Sequence, residues 1–223
     1  MLPQRKIFIC FISNTGLVAL LWLCRVFFSG SLYYGFLLWN LFLALIPFGI
    51  SSYLVYRQAQ RYTMVYHRRL FIASWWLLFI AWLLFFPNAP YIITDITHLS
   101  PQHGVPLWFD AALLFIAALT GLWIGCLSLL QMEKVWILRF PKISPALFVI
   151  FVLLLSGFGI YLGRVMRFNS WDVLQNPVGL ASAILKRLLM PWQHLRTWGV
   201  TVLFAAILWV GYIQVKQIAR LKF

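Results

Sequence analysis

Acidic side chains are what this 223-residue chain has least of: four Asp and Glu stand against 18 Lys and Arg. Charged residues of both signs make up 10% of it, where a globular domain carries about 25%. That poverty excludes an ordinary soluble fold, whose surface must be charged to face water. Cysteine is nearly as scarce. Cys10, Cys24 and Cys126 fall in separate apolar runs with no metal-ligand spacing, which leaves no disulfide framework and no thiolate metal centre. They read as small packing residues. No repeat or low-complexity linker divides the chain, and no motif of known chemistry calls for a cofactor. The expectation is one integral membrane domain over residues 1–223, with no cofactor and no metal.

What is abundant is apolar: 63% of residues. A transmembrane helix needs about 20 such residues in a row to cross roughly 30 Å of hydrocarbon. Six stretches approximate this, at 7–28, 34–55, 70–86, 111–130, 146–162 and 198–215. The fold class expected is therefore all-α, a polytopic helical bundle. The third and fifth runs are short and end in motif-rich loops, so they either stop below the interface or continue as irregular buried backbone. Residues 178–192 carry a helical apolar stripe with Lys186 and Arg187 off to its side, the pattern of an interfacial amphipathic helix before the last span. A seventh crossing there is the alternative, disfavoured by Gln175, Asn176, Pro177 and Gly179.

The net charge of +14 would suggest nucleic acid in a soluble protein, but here the bases lie between apolar runs. That distribution suits membrane topology and anionic lipid headgroups, and no nucleic acid. With six spans, twelve bases fall on the side of the N-terminus and six on the other, so the N-terminus is expected in the cytoplasm. Tryptophans 75, 76, 108, 171, 192 and 198 lie near span ends, where aromatic rings anchor.

Two loops on the opposite side hold the unusual residues. FPNAPYIITDITHLSPQHGVPLWFD, residues 86–110, contains no Lys or Arg. Pro87 and Pro90 break the helix, with Asn88 between them as a turn residue or cap. Tyr91, Asp95 and His98, spaced four and three apart, share one face of any helical continuation. Asp110 opens the fourth span and reads as an N-cap. The second loop, GRVMRFNSWDVLQNP at 163–177, holds Arg164, Arg167, Asn169 and Asp172. A carboxylate at the edge of hydrocarbon is costly unless paired, so Arg164 or Arg167 is expected to meet Asp95, Asp110 or Asp172.

Asp95 with His98 could be an acid/base pair, part of a metal site, or a simple hydrogen-bonded pair. A metal set would have to draw on His103 and Asp110, with no supporting motif. Glu133, beside Lys134, reads as a local ion pair of little consequence. His67 reads as solvated surface and His194 as interfacial. Ala117, Gly121 and Gly125, then Gly159 and Gly163, recur every four residues, as helices that approach closely do. The second stripe points on to Arg167, which a tight contact would fix in place.

FPNAPYIITDITHL, PLWFDAALL and GIYLGRVMRFNSWD resemble the signatures of domain-of-unknown-function family 1361. The likeness runs from about the second span to the last. It implies a multi-pass bacterial membrane protein of the cell membrane, and no activity. The positions that carry it are Pro87, Asn88, Pro90, Tyr91, Asp95, His98, Asp110, Arg164, Arg167, Asn169, Trp171 and Asp172. Three function classes stay open. One is a structural, assembly, lipid-binding or partner-binding role, with a partner protein or a homo-oligomer allowed. The second is a transporter or channel. The third is an enzyme acting on a lipid phosphate or lipid-linked substrate, with Asp95 and His98 as acid and base; Arg164, Arg167, Asn88, Tyr91, Asn169, Asp110 and Asp172 are the substrate-binding candidates.

Overall fold

The computed structural model describes residues 4–60, 68–101, 104–168 and 171–220. His67, His103 and Asn169 lie outside the described residues. Apolar runs in a bilayer must satisfy their backbone internally, and the described residues do so as helices. These are α1 (Gln4–Ser29), α2 (Phe36–Ala59), α3 (Arg68–Phe85), α4 (Asn88–Tyr91), α5 (Leu107–Arg139), α6 (Pro145–Arg164), α7 (Asp172–Gln175), α8 (Pro177–Leu189) and α9 (Leu195–Ile218). Six segments are long and apolar enough to cross a membrane, and their order matches the six expected spans. The protein is a multi-pass membrane protein. At 13 residues, α8 is about 20 Å long and too short for a seventh crossing.

The spans differ from their expected limits where local chemistry extends them. The fourth, expected at 111–130, becomes the 33-residue α5, because Leu107–Phe109 and Gln131–Arg139 continue the helix beyond its most apolar stretch. It packs against α1, α2 and α9, while α6 pairs with α9. Pro47 lies inside α2. One turn on, Ser51 donates to Gln131 Oε1 at 2.6 Å, Ser128 donates to the Pro47 carbonyl at 3.1 Å, and Trp82 Nε1 donates to Ser128 at 2.9 Å. This buried polar knot ties α2, α3 and α5 together where lipid offers no other partners. Trp75, expected as an interfacial anchor, is 3% exposed; it stacks on Phe79 and packs in the core instead.

The third span continues past its prolines as buried broken backbone. α3 ends at Phe85, just before Pro87, while Pro90 is taken up inside α4; the Asn88 side chain donates to the Phe85 carbonyl at 3.0 Å, and the chain resumes as α4 and a 3-10 turn over Ile92–His98. The small-residue stripes explain how this bulky break is accommodated. A Cβ on Gly121 would lie 2.5 Å from the Ala89 carbonyl oxygen, one on Gly159 3.0 Å from Pro87, and one on Gly163 3.0 Å from the Tyr91 ring. Close approach is thus present, but its partner is the broken segment. The second stripe does not fix Arg167 as expected: that residue has left the helix at φ 62° and is exposed.

Candidate functional site: a lipid-facing groove with a polar end

The break and the end of α6 form one end of a groove of about 840 Å³ between α2, α3, α6, α8 and α9. Its length is apolar, with Leu43, Ile80, Leu83 and Leu84 on one side and Leu154, Leu155, Ile184 and Val202 on the other. Ile80, Leu154 and Val202 are 61%, 40% and 58% exposed, so the wall lies open at the side of the bundle, where lipid would sit. Asn40, Asn88, Tyr91, Asp95, His98 and Arg164 gather at the end formed by the break.

Arg164 organises that polar end. Its Nη2 donates to Asp95 Oδ1 at 3.0 Å, its Nη1 meets His98 Nε2 at 2.9 Å, and its guanidinium lies 5.1 Å from the Tyr91 ring centre. Because arginine only donates, His98 Nε2 is the acceptor and its ring proton sits on Nδ1. Asn40 donates to the second Asp95 oxygen at 2.8 Å. Asp95 is 1% exposed, and these two donors compensate its charge. The four-and-three spacing of Tyr91, Asp95 and His98 therefore delivers all three to one wall. The expected cross-loop pairing is present as Arg164 with Asp95; Arg167 takes no part in it.

Asp110 corrects the sequence reading. The N-cap of α5 is Pro106, so Asp110 lies inside the first turn. Its carboxylate accepts from Arg25 Nε at 2.7 Å and from Nη2 at 3.3 Å, and neither side chain is more than 1% exposed. Arg25 also lies 4.8 Å from the ring centre of Tyr34, a residue at φ 69° whose hydroxyl donates to the His98 carbonyl at 3.1 Å. A closed ion pair therefore backs the open one through a single tyrosine. Asp110 does not line the groove, and Asp172 opens the short α7.

Glu133 corrects another expectation. It is 5% exposed and takes hydrogen bonds from Tyr212 and, at 2.6 Å, from Lys216, which joins α5 to α9 at the opposite end of the bundle. Asn40 and Arg25 escaped the sequence reading because each sits inside an apolar run. The cost of a polar side chain there was the available signal. Among the described residues no group of three or more His, Cys, Asp and Glu side chains could hold a metal ion.

No curated protein and no solved structure matches the chain. A family model described as a protein of unknown function, DUF1361, matches residues 39–210. That interval contains Asn40, the break, Asp95, His98 and Arg164, and it ends before the lysine that holds Glu133. Since the match covers well over half of its residues, the chain belongs to the DUF1361 family of membrane proteins.

Proposed function

We propose that the protein binds an amphipathic lipid, its chains along the groove and its head at the Arg164 end. The observation that supports this is the continuity of one cavity from an apolar, side-open wall to a cluster of hydrogen-bonding groups. Ligand sites combine mostly apolar lining with a few placed polar groups, and volumes of roughly 300–1,000 Å³ are usual for them. Six polar side chains at one end match a headgroup better than they match a continuous ion path. The wall beyond them is mostly hydrocarbon and carries no charged side chain for a translocating ion. Asp95 is held by Asn40 and Arg164 on its two oxygens, an arrangement that positions a guanidinium in preference to abstracting a proton.

The test is lipid retention. Native mass spectrometry of the detergent-purified protein should detect bound lipid. Leu155→Trp, which fills the groove, should abolish retention, and Arg164→Gln should reduce it by about tenfold, the loss of one charge-assisted contact. Equal retention by all three proteins would contradict the reading.

A further inference from the structure

Charged groups buried in a low-dielectric interior need a counter-charge, and among the described residues three cations have one. Arg25 holds Asp110, Arg164 holds Asp95 and Lys216 holds Glu133. Arg187 is the exception. It lies in the last turn of α8, is 8% exposed, and turns inward onto α6. Its Nη1 donates to the Ala183 carbonyl at 2.7 Å, its Nη2 meets the Met166 sulfur at 2.9 Å, and its guanidinium sits 5.6 Å from the Tyr161 ring centre. Its Nε is buried with no hydrogen-bond partner, and among the described residues it meets no carboxylate.

Arginine cannot discharge by losing a proton, so the full charge stays. A carbonyl inside its own helix and a thioether return only part of the lost hydration. A buried guanidinium with an unpartnered Nε and no carboxylate on it is suited to an oxyanion. It belongs to an amphipathic helix, and phosphates of a membrane surface sit beside such helices.

We infer that Arg187 centres a second binding site, for the anionic phosphate ester of an acidic membrane lipid. The incoming phosphate oxygens replace the weak thioether contact and satisfy Nε. The site is separate from the groove, since Arg187 does not line it.

Reconstitution into nanodiscs of phosphatidylcholine alone, or with added phosphatidylglycerol, tests this with the whole chain. In phosphatidylcholine, Arg187→Met is expected to melt at or above the wild-type temperature, because it removes an uncompensated charge. Phosphatidylglycerol is expected to raise the wild-type melting temperature and not that of Arg187→Met. By native mass spectrometry, phosphatidylglycerol binding should weaken on the order of thirtyfold in Arg187→Met, while Lys186→Gln, which removes one exposed charge, should bind as wild type does. Equal loss of melting temperature in both discs, or an unchanged lipid preference, would overturn the site. Millimolar inorganic phosphate stabilising the wild type as much as phosphatidylglycerol would overturn its assignment to a lipid. Should Arg187→Met fail to accumulate, Arg187→Gln supplies the comparison, and wild-type phosphatidylglycerol binding by it overturns the proposal.

Discussion

Asp110 and Asp95 belong to the same end of the bundle, and each holds one arginine, yet the two pairs are built for different work. Arg25 and Asp110 are each 1% exposed, joined through two nitrogens, and do not line the groove. Arg164 keeps 24% of its side chain exposed and splits its donors between Asp95 and His98 at the end of a groove. The closed pair cannot exchange partners without unpacking α1 from α5. The open pair can trade a contact for a ligand's. A buried ion pair is thus a rivet or a receptor according to whether a cavity reaches it.

The sharpest way to break this contrast is to remove one member of the closed pair. Asp110→Ala leaves Arg25 buried without a partner and should destabilise the protein by about 3–5 kcal/mol in detergent denaturation. Arg25→Met with Asp110→Leu, which removes both charges, should recover most of that loss. A double variant as unstable as the single one would show that the pair does more than cancel charge.

Next in size comes the packing that holds the open pair's platform. Gly121→Ala pushes a methyl group to 2.5 Å from the Ala89 carbonyl, so the break must shift. The expected cost is about 1–3 kcal/mol, accompanied by weaker lipid retention because Tyr91, Asp95 and His98 move with the break. Undiminished retention would separate the break from the site. Arg164→Gln should reverse the balance seen at Asp110. Asp95 keeps the Asn40 hydrogen bond and the new amide can still donate to it, so denaturation should register only about 1 kcal/mol while lipid retention falls tenfold. The smallest effect is expected where the two pairs touch: Tyr34→Phe deletes one hydrogen bond to the His98 carbonyl, worth about 1 kcal/mol or less.

The sequence made the scaffold readable because hydrocarbon permits so few alternatives: six apolar runs had to become helices. It also carried half of the site. Four-and-three spacing after Pro90 aligned Tyr91, Asp95 and His98, and the scarcity of acids singled out Asp95 as needing a cation. What stayed hidden were partners contributed from far along the chain. Asn40 and Arg25 look like blemishes in apolar spans until the folded bundle sets them beside Asp95 and Asp110. Asp110 looked like a cap because helix starts are common homes for aspartate, but tertiary pairing overrode that local preference. Glu133 likewise pairs not with its neighbour in sequence, Lys134, but with Lys216, 83 positions away. The stripes of glycine announced close contact without naming what would fill it.

The central claim is that a lipid lies in the groove with its head at Arg164. A phospholipid with a photoreactive group midway along its acyl chain tests this directly, by cross-linking in nanodiscs and mapping of the labelled residues. The label should concentrate on Leu154, Leu155 and Ile184, and should lose that concentration in Arg164→Gln. Labelling spread evenly over lipid-facing residues, with Phe27 and Phe28 of α1 marked as strongly as the groove and no change in the variant, would contradict it.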